Sequence, residues 1–241
     1  MGVPRLLSLP GYTVEQRRHA VAILTGDYPD ACDELAEALE TLEITSRQVI
    51  EGGGGKGPMT QALERSLKSK GWDKKTFSLS QTIDGRVIDS TTHEIDHFKE
   101  FDESRPGIAL EIEWNNKDPF YDRDLGAFAR LHLLGIISVG VIVTRGSSLR
   151  NTLKEVFLHH YASLSEDELA EVVSSMNPND KKRVERAPTA TKFQTVAHIK
   201  FGSKYGEATT HWKKLIERID RGLGNPCPLL LIGIETERLH A

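Results

Sequence analysis

The segment between residues 94 and 116 constrains the fold of this chain more than any other part of its sequence. One acid, Asp96, comes shortly before an apolar run, I-A-L-E-I-E-W at residues 108–114, which carries Glu111 and Glu113. Side chains on a β-strand alternate between its two faces, so these two glutamates point the same way. Apolar residues fall on both faces, which favours a strand covered on both sides. The E-x-E spacing alone is also typical of a solvated edge strand.

Two carboxylates on one face of an apolar strand repel each other and lose hydration, which disfavours folding. The arrangement becomes favourable if a divalent cation lies between them and a third acid. Mg²⁺ takes oxygen ligands from a few carboxylates and leaves room for water and phosphate. A cation held this way can stabilise the attacking and leaving oxygens of a phosphodiester. The pattern therefore predicts a Mg²⁺-dependent nuclease that uses Asp96, Glu111 and Glu113.

Composition limits the class of protein without naming its chemistry. The chain has 241 residues, enough for one large domain. Its net charge of −4 does not by itself indicate a nucleic-acid-binding protein. A nuclease can still carry that charge if its acids cluster at a metal and its bases line a groove. The sequence has no apolar run of membrane-spanning length and no signal-peptide pattern, so we expect a cytoplasmic protein without a membrane partner. Cys32 and Cys227 are expected to be reduced thiols.

Hydrophobic spacing predicts an α/β fold with a central mixed β-sheet flanked by helices. Glu51 precedes a glycine run that predicts a mobile loop, either a hinge or a DNA-facing loop. The Lys-Ser/Thr of a phosphate-binding loop is absent there. Asp84-Gly85 predicts a hairpin turn, and Asp118-Pro119 predicts a helix cap. The predicted helices span residues 13–24, 28–42, 58–70, 118–134 and 209–221, with further helices between 145 and 176; the predicted strands span 76–83, 86–90, 92–98, 107–114, 138–144 and 228–235. The helix between strands 107–114 and 138–144 predicts a β-α-β crossover.

Three ordered segments carry a family resemblance. They are I-D-H-F-K-E-F at residues 95–101, L-E-I-E-W at 110–114 and P-L-L-L-I-G-I at 228–234, with a helix before them that ends in K-G-W at 70–72. Together they resemble the BamHI, BglII and BstYI group of type II restriction endonucleases, a branch of the PD-(D/E)xK nuclease superfamily. The E-x-E of this chain stands where most of that superfamily has E-x-K. Some relatives place their aspartate closer to the glutamate, as Asp102 is here, but the residues that flank Asp96 match the motif.

The resemblance implies a PD-(D/E)xK restriction-endonuclease-like fold in a single nuclease domain, residues 1–241. Its catalytic core would cover about residues 51–144 and the strand at 228–235. Asp96 and Glu111 would bind Mg²⁺, and Glu113 would bind or orient the attacking water. An upstream acid is a further metal ligand in part of the group, and Glu51 and Glu94 are the candidates here. The implied activity is hydrolysis of double-stranded DNA at a short palindrome, with a GATC-containing site as one candidate, which leaves 5′-phosphate ends.

Partners and DNA contacts follow as expectations. A palindromic site implies a two-fold symmetric homodimer, and a restriction enzyme implies a cognate DNA methyltransferase as its functional partner. Residues 177–204 form a basic segment that is either a DNA contact or a solvated surface. The candidate DNA contacts are Lys56, Asn115, Asn116, Lys117, Lys181, Lys182, Arg183, Arg186, Lys192, Lys200 and Lys204. Two rival interpretations stay open: a repair, junction-resolving or nicking nuclease of the same fold, or a non-catalytic DNA-binding protein.

Overall fold

A six-stranded mixed sheet forms the centre of the computed structural model, which describes residues 4–51, 56–102 and 104–240. The strands of the chain are β1 (Tyr12–Arg17), β2 (Ile44–Thr45), β3 (Trp72–Ile83), β4 (Arg86–Lys99), β5 (Gly107–Glu113), β6 (Ile137–Arg145), β7 (Leu229–Ile234) and β8 (Leu239–His240). The sheet order is β1-β7-β6-β5-β4-β3, and β2 pairs separately with β8. Strands β5, β6 and β7 are mutually parallel, whereas β1, β3 and β4 run antiparallel to their neighbours.

Helices cover both faces of this sheet. They are α1 (Ala20–Asp27), α2 (Pro29–Glu40), α3 (Ser46–Ile50), α4 (Pro58–Ser69), α5 (Phe120–Leu133), α6 (Ser147–Ala162), α7 (Glu166–Ser174), α8 (Pro178–Glu185), α9 (Lys192–Tyr205) and α10 (Trp212–Asp220). Helices α5 and α10 pack on one face. Helices α1, α2, α4, α6 and α9 pack on the other, in the larger of the two cores. The expected α/β architecture is therefore confirmed.

Strand β5 lies inside the sheet, and all seven of its residues are buried. Ile108, Leu110 and Ile112 point into the larger core, while Ala109 points towards α5. The solvated-edge interpretation of E-x-E is wrong, because β4 and β6 pair with β5 on either side. The β5-α5-β6 unit is the predicted crossover between parallel strands.

The helix expected at residues 13–24 is wrong in its first half. Residues 12–17 form β1, which pairs antiparallel with β7, and α1 begins only at Ala20. Arg18 and His19 adopt left-handed backbone angles, with φ of 53° and 61°, and separate the two elements. Pairing with the strongly apolar β7 outweighs the local preference of this segment, because strand formation depends on cross-strand neighbours more than on propensity.

Two further local expectations need correction. The predicted strands at 86–90 and 92–98 are one continuous strand, β4, although the hairpin turn at Asp84 and Gly85 is confirmed by their positive φ angles. The Asp118 side chain does not cap α5: this helix has no side-chain cap, and the Asp118 carboxylate is ion-paired with Lys214 and Arg218 at 3.3 Å each. The glycine run at residues 52–55 lies outside the described residues. Among the described helices, none is long and apolar enough to cross a membrane.

Gly140, in the middle of β6, provides a test of how tightly α5 packs on the sheet. A Cβ at this position would come within 2.4 Å of the Phe128 ring. We expect Gly140→Ala to lower the free energy of unfolding by about 1–3 kcal/mol, because Phe128 must leave its rotamer or the strand must shift. Urea unfolding of the variant measures this difference.

Gly126→Ala is the matched control, since it lies on α5 with no atom within 4 Å of its added Cβ. It should be neutral or raise stability by about 0.5–1 kcal/mol, because alanine favours helix over glycine. Equal stability of the two alanine variants would contradict close packing of α5 on β6.

Candidate active site

The candidate site lies where β4 and β5 part. Their backbone pairing runs from Lys99 and Ile108 to His97 and Leu110. The next pair in register would be Asp96 and Glu111, but there the Asp96 N–H donates to Glu111 Oε1 at 3.3 Å. The Asp96 side chain is 34% exposed, whereas Glu111 is 2% exposed. Where the strands separate, Asp96 is therefore open to a ligand, whereas Glu111 stays buried.

Three carboxylates are buried together between β5 and α5. Glu111 and Glu113 come from β5, as predicted, and Asp124 comes from α5; each residue is only 2% exposed. Asn116 Nδ2 donates to Glu113 Oε1 at 3.1 Å. Glu113 Oε2 and Asp124 Oδ2 are buried without a donor among the described residues. Buried polar atoms are normally paired, so these two oxygens need either a proton held between the two side chains or an added ligand.

Burial shifts the titration of this cluster strongly. It raises the pKa of Glu113 to about 9, and the nearby Asp124 carboxylate contributes to the rise. Burial also raises the pKa of Glu111 well above its ordinary value, with smaller effects from Asp124 and Asp96. Burial raises the pKa of Asp124 as well. Protonated Glu113 can donate a hydrogen bond to the Asp124 carboxylate, whereas two ionised carboxylates at this position would repel each other. Protons therefore occupy the cluster at neutral pH unless a cation replaces them.

The donor set fits a hard cation in one specific way. Among the described residues, no group of three His, Cys, Asp or Glu side chains stands ready to hold a metal ion by itself. Mg²⁺ does not require such a cage, because it is commonly bound by one or two carboxylates together with water and substrate phosphate. The available donors are all oxygens, two of the buried oxygens have no donor, and Asp96 is open to solvent. This arrangement suits a cation whose remaining coordination positions are filled by water and a substrate phosphate.

Asp96 also lines a cleft of about 110 Å³. Lys56, Asn115 and Asn116, all expected to contact DNA, line the same cleft. Its other lining residues are Thr60, Ile112 and Trp114. The structure therefore brings four separately predicted residues together at one opening. Lys117 lies outside this lining, in a backbone bridge to Thr209.

The two candidate upstream acids take different positions. Glu94 accepts from Lys74 Nζ at 2.6 Å, and the same ammonium lies 3.9 Å from Asp96 Oδ1, so Glu94 is close to the site. Glu51 is bound by Arg47 at 2.9 Å and lines a separate cavity. The structure does not bring Glu51 to the cleft.

Asp102, the alternative aspartate, belongs to a surface turn. Its carboxylate accepts from the Ser104 N–H at 3.1 Å and from Arg105 Nε at 3.0 Å. The side chain is 55% exposed. Its bonds are those of a turn-stabilising acid, and it does not line the cleft that contains Asp96.

The predicted basic segment folds into two helices with different environments. Lys181, Lys182 and Arg183 lie on α8 and Arg186 directly follows it, whereas Lys192, Lys200 and Lys204 lie on α9. The Lys204 ammonium donates to the Val49 and Glu51 carbonyls at 2.7 and 3.0 Å, so its hydrogen bonds hold the fold together. Lys182, Arg183 and Arg186 are exposed.

A buried arginine holds the end of β5 in place. Arg145, fully buried at the end of β6, donates from Nε to the Trp114 carbonyl at 2.6 Å and from Nη2 to Thr209 Oγ1 at 2.7 Å. Thr144 Oγ1 donates to the Glu113 carbonyl at 2.7 Å. These bonds fix the backbone at Glu113 and directly after it, which helps to set the direction of the Glu113 side chain.

Comparison with known families decides the identity of the fold. The family model for the restriction endonucleases BglII and BglIII matches residues 12–234, nearly the whole chain. The chain belongs to this family. It is a restriction endonuclease, a nuclease whose substrate is DNA, and the resemblance carried by the ordered motifs is confirmed. No curated protein gives a significant match.

The structure of this endonuclease also shows site residues that the motifs did not reveal. Asp124 lies on the same helical stripe as Tyr121, Leu125 and Phe128, all buried. An acid at a buried position of an amphipathic helix is a signal that the sequence contains, but it becomes informative only once the facing strand is known. Arg123, next to it, donates from Nε to Asp124 Oδ1 at 2.8 Å.

The buried acids of the endonuclease predict an unusual pH dependence for the metal-free protein. Since the folded pKa of Glu113, about 9, lies above its ordinary value of 4.5, the folded state keeps a proton that the unfolded state releases between these values. Stability should therefore fall as pH rises from about 5 to 9. Glu113→Gln, which cannot ionise, should be more stable than the wild type at pH 8 and should flatten this slope.

Urea unfolding at several pH values with EDTA present measures both effects. Glu100→Gln is the matched control, because Glu100 is exposed and paired with Lys75. If Glu113→Gln were no more stable at pH 8 than the wild type, the buried acid would not carry the predicted proton.

Proposed function

We propose that this endonuclease is a type II enzyme that cuts double-stranded DNA at a short palindromic site, with Mg²⁺ as its cofactor, and leaves 5′-phosphate ends. The cluster of Glu111, Glu113 and Asp124 beside the open Asp96 carries this proposal. Three acids at 2% exposure in the central strand and in the helix that covers it are costly for folding. A hydrolytic metal centre gives these acids a function, because a cation offsets the cost of burying them.

The roles of the acids follow from their positions. Asp96 and Glu111 would hold the cation, which would neutralise charge on the scissile phosphate and lower the pKa of the attacking water. Glu113 Oε2, without a donor of its own, would accept a proton from that water, while Asn116 holds the other oxygen. The new bond joins the water oxygen to phosphorus. The bond from phosphorus to the 3′ oxygen breaks, and solvent protonates the leaving oxygen.

The biological setting follows from the same chemistry. A palindrome has a two-fold axis, so a two-fold homodimer would present one active site to each strand. A site with a GATC core is our proposal for the recognition sequence, based on the resemblance to the group. Host DNA would need protection by a cognate methyltransferase in the cytoplasm, where both enzymes would meet it.

Cleavage of unmethylated phage DNA is the first test. We expect purified protein with Mg²⁺ to give discrete fragments, and Asp96→Ala and Glu111→Ala to give none, because each removes an oxygen ligand. Gel electrophoresis measures the products, and sequencing of the ends gives the site and the 5′ phosphate. Asp102→Ala is the matched control and should cut like the wild type.

The other outcomes separate the rival functions. A smear, or cutting only of branched or nicked DNA, would favour a repair, junction-resolving or nicking nuclease. Binding of DNA without cutting under any divalent metal would favour a non-catalytic DNA-binding protein. Full activity of Asp96→Ala with loss in Asp102→Ala would reverse the assignment of the catalytic aspartate.

Electrostatic contacts to DNA provide a separate test on the basic segment. Replacing Lys182, Arg183 and Arg186 together by alanine should weaken DNA binding and reduce its salt slope by about one for each phosphate that the protein no longer neutralises. Lys204→Ala should instead lower the free energy of unfolding, because its ammonium bonds to two carbonyls within the fold. Fluorescence anisotropy with EDTA at several salt concentrations, together with urea unfolding, measures both. An unchanged salt slope in the triple variant would make α8 an ordinary solvated surface.

A further inference from the structure

The acids of the active site have cations around them, and these cations differ in how they are held. Lys56 is ion-paired with Glu64, and Lys74 is ion-paired with Glu94. Both lysines belong to the Asp96 side of the site. Arg123 approaches from the opposite side, on the first turn of α5, next to the buried carboxylates of β5.

Arg123 links the buried cluster to the surface. Its guanidinium lies 2.8 Å from Asp124 Oδ1 through both Nε and Nη2, while its side chain is 56% exposed and that of Asp124 is 2% exposed. No described residue accepts a hydrogen bond from Nη1. One edge of the guanidinium is therefore anchored on a buried acid of the cluster, and the side chain as a whole is more than half exposed to solvent.

The orientation of the guanidinium is fixed by a second contact. Its central carbon lies 4.4 Å from the centroid of the Phe120 ring, in cation–π geometry. Burial lowers the pKa of Arg123, but the carboxylates of Asp124, Glu111 and Glu113 outweigh that effect and raise it, so the group stays charged. A pre-oriented, permanently charged fork with free donors suits the planar recognition of phosphate oxygens.

We propose that Arg123 is a catalytic residue that binds a non-bridging oxygen of the scissile phosphate, and so supplies the positive charge that the E-x-E strand lacks. This inference rests on the proposed hydrolysis at Asp96, Glu111 and Glu113. Arg123 keeps its proton throughout and donates hydrogen bonds to the phosphate, whose negative charge grows as water attacks. Asp124 is its positioning residue, since it holds the fork on the α5 side of the reacting phosphate.

A purely structural role is the competing explanation, in which Arg123 only neutralises Asp124. The two explanations differ when the acid is removed. If Arg123 only offsets Asp124, Arg123→Ala should cost nothing in an Asp124→Asn background. If Arg123 acts on the phosphate, the loss of cleavage rate should persist in that background.

Single-turnover cleavage of a short duplex that carries the mapped site is the measurement, with DNA affinity measured separately in Ca²⁺. We expect Arg123→Ala to lower the cleavage rate constant by about 10²–10³-fold, the usual cost of removing one transition-state donor, while affinity changes by less than about tenfold. A smaller rate loss should persist when Arg123→Ala is added to Asp124→Asn, because the amide oxygen can still accept from the fork but no longer forms an ion pair with it. Arg123→Lys should recover part of the rate, as should methylguanidine added to Arg123→Ala.

Arg130→Ala is the matched control, because Arg130 lies on the same helix and contacts His93 away from the acids. It should cleave like the wild type. A normal rate in Arg123→Ala, a loss confined to affinity, or a loss that vanishes in the Asp124→Asn background would each overturn the assignment. If the wild type itself cuts no DNA, the proposed function fails and this inference fails with it. Equal cleavage rates of the wild type and Arg123→Ala overturn the inference alone.

Discussion

The burial of Glu111 and Glu113 in a central strand is the constraint on which the rest of this structure depends. Each carboxylate is only 2% exposed, and Asp124 adds a third from α5. Burial on this scale favours the protonated acids, so the metal-free cluster holds protons that a bound cation would displace. The fold therefore maintains an arrangement that is unfavourable by itself, and a divalent cation with a phosphate would relieve it.

Such a cluster needs a rigid frame, and the structure provides one from distant parts of the chain. Arg145 ties the end of β5 to the loop near Thr209, while Asn116 receives the Thr210 N–H on its carbonyl at 2.8 Å and holds Glu113 with its amide. The loop after β5 is thus held through both its backbone and its side chains. Asn116, which the sequence predicts as a DNA contact, also holds the Glu113 side chain in position.

The site divides into two sides with different tasks. On the β4 side the parted strands expose Asp96 to the cleft that Lys56 also lines, where a cation and the DNA backbone would enter. On the α5 side Asp124 is buried against Glu113, and Arg123 extends from it to solvent. Basic side chains therefore lie on both sides of the buried acids, each paired with an acid, and they would meet a polyanionic substrate before the buried carboxylates do.

Much of the fold and of the site could be predicted from the sequence, because both depend on short-range pattern. The alternation of I-A-L-E-I-E-W placed Glu111 and Glu113 on one face, and the apolar residues between them predicted a strand covered on both sides. The β-α-β crossover followed from a helical period between two apolar runs, and the ordered motifs identified the family. Local pattern suffices there because strand and helix periods decide which side chains share a face.

Only the tertiary structure decided which residues of different helices and strands come into contact. Residues 12–17 fit the beginning of a helix by their spacing but become a strand because β7 offers them a partner. The role of Asp124 depends on its contact with β5, which no spacing within α5 reveals. The ammonium of Lys204 bonds inside the fold, although this residue ends the segment predicted to contact DNA. Sequence alone determined the faces of the elements. Long-range packing decided which faces meet, because burial and charge at a site are set by residues far apart in the chain.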